Sequence, residues 1–277
     1  MGKAPGISRD ERLLPSLRPC GLFNTQYSSS NTDTGASSGV QPYALVLGNS
    51  QYKLQTLHNV IGDIHHICGA LQNRLFKVKV AIDTTGQSMV DACTLFCKDI
   101  PSNSRCYGYF TGLIDRSVLL GVDASFTADT PVNGVSLSYL IELFSQRAGP
   151  TVLVIDSARP VLGYRSRRLL SASRVSLTQT LSQTPLRIDG ILNPPSKPPK
   201  NCTILLSHVP GERLPEECFD PVGFVGNLIP EKNRDLPVSI FATCVASAIL
   251  NEIPLHIAVR EVTQRSGRLQ RPWLRIG

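Results

Sequence analysis

The residues with the widest chemical reach in this chain are its eight cysteines, Cys20, Cys68, Cys93, Cys97, Cys106, Cys202, Cys218 and Cys244, and its five histidines, His58, His65, His66, His208 and His256. Thiols and imidazoles at short paired spacings would ligate zinc, and a dense set of cysteines in a short chain would form a disulfide framework. Neither pattern is present, so the cysteines read as reduced, mostly buried thiols. Asp83, Asp115, Asp123 and Asp129 lack the loop spacing of a calcium site and read as solvated turns. No metal or other cofactor is expected.

The elements that must position any reactive group belong to a globular chain. Its 277 residues are 42% apolar and 18% charged, which fits one domain with additional ends. The most apolar run, Ile240 to Leu250, falls short of the ~20 residues of a membrane span and reads as a buried helix. The first twenty residues lack the apolar core of a secretory signal, and Asp10 and Glu11 oppose a transit peptide; an intracellular, cytoplasmic protein is expected. The net charge of +7 is concentrated between positions 160 and 200, where seven basic residues face Asp189 alone. Without interleaved aromatics beyond Tyr164, that stretch does not read as a nucleic-acid surface.

Four segments follow. Residues 1–40 end in a Ser, Thr and Gly run that buries too little apolar surface to offset its ordering entropy, and are expected to form a disordered polar arm. Residues 41–160 alternate strand and helix. Tyr43-Ala-Leu-Val-Leu47 has the continuous apolar character of a buried parallel strand. Ile61, Ile64, Ile67, Cys68 and Leu71 recur at helical spacing, and Phe76 to Val80 alternates at period two. A helix near Met89 to Cys97, strands Arg105 to Thr111 and Ser117 to Val122, a helix Ser136 to Arg147 and a strand Thr151 to Ile155 complete this part. Residues 161–200 form a basic linker rich in Ser and Pro. In 201–277, strand Cys202 to Ser207, helices Leu236 to Leu250 and Leu255 to Arg265, and a closing strand Gln270 to Arg275 are expected. The alternation predicts an α/β fold of three layers, with helices on both faces of a mostly parallel sheet.

Four ordered pieces resemble the peptidase domain shared by caspases, paracaspases and metacaspases. They are Ala44 to Tyr52 with Asn59-Val-Ile-Gly-Asp63; Tyr109-Phe-Thr-Gly112 with Ser117 to Ala124; Val152-Leu-Val-Ile-Asp-Ser-Ala-Arg159; and Val259-Arg-Glu-Val with Gly267 to Trp273. The resemblance implies a large-subunit-like part over 41–160 and a small-subunit-like part over 201–277, joined where such chains carry their intersubunit linker.

Family enzymes attack a peptide carbonyl with a Cys thiolate served by a His. Here the histidine position is Leu113 and the cysteine position is Ala158. Loss of one central member of such a pair lowers turnover by on the order of a millionfold, so an inactive, pseudopeptidase-like member is expected. What the resemblance retains is an acidic pocket for an Arg or Lys side chain, from Asp63 and Asp156 with Glu212 as a third contributor. The implied roles are docking a basic peptide segment, or pairing as a homo- or heterodimer with an active caspase-like relative. The competing structural role is for Asp63 to cap its helix and Asp156 to end its strand on backbone hydrogen bonds. Two rival functions compete with binding. One is a peptidase for basic residues with a relocated nucleophile, Ser157, Cys97 or Cys106; the second is that of a structural subunit in a larger assembly. Ser157 should point away from the vacated position, because strand side chains alternate. His65 and His66 read as solvated or locally hydrogen-bonded.

Overall fold

The computed structural model describes residues 18–19, 41–53, 56–115, 117–127, 130–147, 149–158, 199–208, 219–220, 236–267 and 270–277. The most apolar strand sits centrally: β2 (Tyr43–Gly48) has Ala44 to Gly48 buried, because neighbours flank it and helices cover it on both faces. It pairs in parallel with β3 (Lys77–Ile82) on one side and β4 (Cys106–Asp115) on the other. β4 in turn pairs in parallel with β7 (Thr151–Ala158), and β7 with β8 (Cys202–Leu206). Two antiparallel edges, β1 at Arg18–Pro19 and β11 at Trp273–Ile276, complete the order β1-β3-β2-β4-β7-β8-β11.

Alternation along each strand divides the core into two layers. On one face, Val46, Tyr109, Leu113, Val154 and Leu205 pack with residues of α1 (Val60–Asn73) and α4 (Ile240–Leu250), with Val262 of α5 (Leu255–Arg265) beyond. On the other, Leu45, Phe110, Ile114, Leu153 and Ile155 pack with α2 (Gly86–Asp99) and α3 (Leu137–Arg147). The mostly parallel sheet flanked by helices on both faces is thus the expected α/β architecture. Among the described residues no helix is long and apolar enough to cross a membrane.

Several elements differ from the expectation. β4 does not stop at Thr111 but runs through Leu113 to Asp115, all ten residues buried. Its last two residues pair with β5 (Val118–Thr127), which folds back on β6 (Thr130–Ser136), a strand the sequence did not announce. β7 continues past Ile155 to Ala158 because β4 extends alongside it. The helix expected from Leu236 starts at Ile240, preceded by β10 (Val238–Ser239), which pairs with β9 (Phe219–Asp220). Within the polar arm, Arg18–Pro19 pair with Val80 and Lys79 of β3; the rest of residues 1–40 and linker residues 161–198 lie outside the described residues.

One close approach positions the site. A Cβ on Gly62, in the first turn of α1, would collide with the Pro237 carbonyl, so only glycine lets the Pro237–Ser239 backbone lie against the helix. Gly62→Ala should therefore destabilise the protein by about 1–3 kcal/mol, despite the better helix propensity of alanine. Equilibrium urea unfolding reads this directly; a variant as stable as the parent would show that the segment yields without cost.

Candidate functional site

The site grows from the carboxyl ends of β4 and β7 and the amino end of α1. Asp156, two residues before the end of β7, and Thr111 of β4 lie opposite each other in the strand register. Asp63 is the fourth residue of α1, and its carboxylate faces the same end of the sheet. It does not cap the helix. The N-cap is Asn59, whose side-chain amide donates to Asp63 Oδ2 at 2.7 Å, while Thr111 Oγ1 donates to the same oxygen at 3.4 Å. Nor does Asp156 end its strand on backbone bonds: Tyr109 donates its phenolic hydroxyl to Asp156 Oδ2 at 3.2 Å.

Ser239 joins the two acids. Its backbone N–H donates to Asp63 Oδ1 at 2.7 Å and its hydroxyl donates to Asp156 Oδ2 at 2.7 Å. The same hydroxyl accepts from Ala242 N at 2.9 Å, as the N-cap of α4. One residue thus starts a helix and holds a pair of carboxylates. Asp156 Oδ1 has no partner among the described residues, and Asp156 is 6% exposed where Asp63 is fully buried.

Two carboxylates taken from water without a cation cannot both ionise easily. Burial pushes Asp63 well above the usual carboxylate range, reinforced by the charge of Asp156 and opposed by the Ser239 N–H. Burial also raises Asp156 from 3.8 to about 6, opposed by the hydroxyls of Ser239 and Tyr109. Both acids are thus held toward the protonated form, Asp63 being the more deeply buried of the two.

The dyad positions lie side by side. Leu113 and Ala158 are register partners in adjacent parallel strands. Leu113 is fully buried in the core beside α1 and α4, and its N–H donates to the Tyr52 hydroxyl at 2.8 Å. No acid–base group stands at either position.

Ser157 has a neighbour that sequence reasoning did not supply. Its N–H donates to Ser207 Oγ at 3.0 Å, and the two hydroxyl oxygens are 3.5 Å apart. Ser207 Oγ also lies 2.9 Å from His208 Nδ1, in a hydrogen bond whose direction follows the ring tautomer. Burial holds His208 down at about 4, so its ring is neutral. Yet Ser207 stands between Ser157 and the ring, so His208 does not hydrogen-bond the Ser157 hydroxyl directly. Cys97 and Cys106 are both buried, and burial pushes Cys106 up to about 12, far from a thiolate at neutral pH.

Of the two readings of His65 and His66, the solvated one does not hold: both are buried in α1, which packs against the sheet and α4. Asp115 is fully buried at the end of β4, while Asp83 accepts from Ser50 N at 2.6 Å and Asp123 from Gly86 N at 2.8 Å. Asp83 and Asp123 are half-buried and order their loops through these bonds, and Asp129 lies outside the described residues. Among the described residues no cluster of metal-ligating side chains forms. Glu212 lies outside the described residues, so the acids the structure brings together are Asp63 and Asp156. Sequence reasoning missed Ser239 and Tyr109, although a Ser directly before an apolar run is a legible N-cap signal.

The profile of the caspase domain family matches residues 41–216, well over half of the chain. No curated protein matches the sequence.

Because its folded pKa is raised, Asp156 favours the folded state most at low pH, and this contribution is lost as pH climbs from about 4 through 6. The loss amounts to up to roughly 3 kcal/mol. Asp156→Asn should flatten that part of the profile and leave the protein more stable than the parent at pH 7. Urea unfolding at pH 4, 5, 6 and 7 measures both, and a parent that gains stability over that range would refute the buried-diacid account.

Proposed function

The chain belongs to the caspase domain family, and from that premise we propose that it is a catalytically silent member that works by binding a basic peptide segment. The observation that carries this reading is the pairing of Leu113 with Ala158. In family enzymes these positions supply the base and the nucleophile. Here β4 continues as strand through the histidine position, with an aliphatic side chain sealed in the core beside α1 and α4. The scissile bond would find neither proton acceptor nor nucleophile.

Binding is favoured by what remains. One oxygen of Asp156 has no partner among the described residues, and burial holds both acids toward the protonated form. A guanidinium or ammonium placed there would supply the missing countercharge and draw both acids toward ionisation. Arginine suits the site better than lysine, because its planar fork can engage two carboxylate oxygens at once.

A second mode rests on the sheet edge. β11 pairs with β8 on one side only, and its other side meets no described strand, so its backbone groups can take up a strand from a second caspase-like chain. Such a homo- or heterodimer would let a silent subunit alter an active relative. The competing peptidase reading, with Ser157 as nucleophile, is disfavoured by the interposed Ser207, which separates the Ser157 hydroxyl from the His208 ring. A purely structural role in a larger assembly would leave the diacid without a ligand.

The test pairs hydrolysis of a fluorogenic arginyl peptide with calorimetric binding of its non-cleavable counterpart. Binding without turnover is expected, weakened tenfold or more in Asp156→Asn, with proton release on binding at pH 6–7 as the acids ionise. Robust turnover would overturn the silent assignment, and absence of any binding would overturn the basic-residue pocket.

A further inference from the structure

At the end of the sheet opposite to the two acids, α1 closes on a turn that presents a leucine to solvent. Phe76 N–H donates to the Leu71 carbonyl at 3.0 Å and Leu75 N–H to the Gln72 carbonyl at 2.9 Å, the two bonds by which a helix ends on a left-handed residue. That residue is Leu75, at φ 61°, where glycine would sit without steric cost. The Gln41 side-chain amide donates to the Leu75 carbonyl at 2.6 Å and holds the turn in place. Yet the side chain that brings this strain packs on little: Leu75 is 79% exposed, more than any other large apolar residue described. The helix end by itself gives no reason for a leucine here.

The surroundings of Leu75 share one character. Lys77 opens β3, Arg105 directly precedes β4, Lys200 stands just before β8, and Lys98 lies in the last turn of α2, which leads to β4. Because those strands run in parallel, all four cations stand at the same end of the sheet. All are exposed, and none has a carboxylate partner among the described residues. The acids at that end are taken, Asp99 by Lys79 at 2.7 Å and Glu252 by Arg74. Lys77 and Arg105 lie 5.8 and 6.0 Å from the ring centres of Tyr43 and Phe76, so each is backed by an aromatic ring. Ile276, paired with Thr203 near the start of β8, is 74% exposed at the same end, and Ile257 in the first turn of α5 is exposed as well. Protruding aliphatic side chains, half-buried aromatic rings and uncompensated cations on one side of a molecule match the layers of a lipid interface.

We propose that this end of the molecule docks on a bilayer rich in anionic phospholipid, with Leu75 seated at the boundary of the acyl chains and Lys77, Lys98, Arg105 and Lys200 against the headgroups. Leu75 leaves water only in the docked state, so the strain of its turn and its exposure are offset there. Each cation brought to an anionic surface strengthens attachment about fivefold. Four cations with one apolar wedge give reversible attachment rather than insertion. An acidic macromolecule in solution would use the cations but gain nothing from a strained, exposed leucine, so the lipid surface is favoured. The surface shares no residue with the Asp63 and Asp156 pair, and docking through it leaves the acids on the side away from the membrane.

The experiment is co-sedimentation of the full chain with vesicles of phosphatidylcholine containing about one-third phosphatidylserine, and with vesicles of phosphatidylcholine alone, in about 0.1 M salt. The mixed vesicles should bind at least tenfold more tightly than the neutral ones, and binding should weaken as salt is raised. Lys77→Glu with Arg105→Glu should weaken binding about a hundredfold or more, while Lys77→Arg with Arg105→Lys, which keeps both charges, should bind like the parent. Leu75→Gly separates the wedge from a structural role. It should weaken vesicle binding about fivefold or more, yet leave the free protein at least as stable in urea, because glycine relieves the left-handed turn. Asp156→Asn should bind vesicles as the parent does. The proposal is overturned if the parent fails to sediment with the mixed vesicles at millimolar lipid, if neutral vesicles bind as tightly, or if Leu75→Gly binds like the parent. Capture of duplex RNA without vesicle binding would assign the cations to a nucleic acid and overturn it equally.

Discussion

Two carboxylic acids buried without a cation among the described residues set the terms for everything around them. Asp63 and Asp156 come from segments far apart in the chain and meet where β4 and β7 end beside the first turn of α1. Their tendency to repel is contained by burial that favours the protonated forms and by donors that converge from separate elements: the Asn59 cap, Tyr109 and Thr111 of β4, and Ser239. Ser239 can reach both acids only because Gly62 leaves room for the backbone before it. The start of α4, the seat of Pro237 and the fit of α1 on the sheet are therefore parts of one electrostatic arrangement. Such an arrangement costs stability at neutral pH, and a fold retains it most readily where a ligand will supply the missing charge.

Much of the scaffold is legible in the sequence because burial on both faces of a parallel sheet leaves a plain mark. Tyr43 to Leu47 and Cys202 to Leu206 are apolar runs, and α1 and α5 carry helical spacing. What escapes a sequence reading is decided by neighbours rather than by local pattern. Gly112 looks like the end of a strand, yet β4 passes through it at φ 156° and continues, because β7 and then β5 pair with the extension. The helix after Leu236 begins later than its apolar pattern suggests, because Pro237 and Val238 continue that pattern while Ser239, as cap, fixes the start at Ile240. The acids are visible through their resemblance to family motifs; their donors are not, since a tyrosine, a threonine and a serine in separate elements share no spacing. His208 follows a different strand from Ser157, and only the parallel pairing of β7 with β8 carries it to Ser207 at that serine's side.

α1 and α4 each run from the diacid toward the opposite end of the sheet. α1 begins near Asp63 and ends at Leu71 and Arg74; α4 begins at the Ser239 cap and ends at Ala248 and Ile249. The Arg74 and Glu252 pair closes the same two helices at their distal ends that Ser239 and Asp63 close at their proximal ends. A change of spacing between these helices at one end is thus geometrically shared with the other, which gives the molecule a physical connection between the two acids and the distal ion pair.

Ser239 stands 176 residues after Asp63. A chain emerging from the ribosome at about 5–20 residues per second has to wait on the order of ten to thirty-five seconds between making the helix that carries the first acid and making the serine that tethers it. During that interval β2, β3, β4 and β7 can already pair, while the face of the sheet destined for α4 stays bare and both carboxylates remain hydrated and charged. The nascent domain is therefore half-covered and dependent on its last segments, and loop closure over so long a separation makes the final docking a slow step. For a protein of this build, the cellular hazard lies less in the finished structure than in the time before its C-terminal helices arrive.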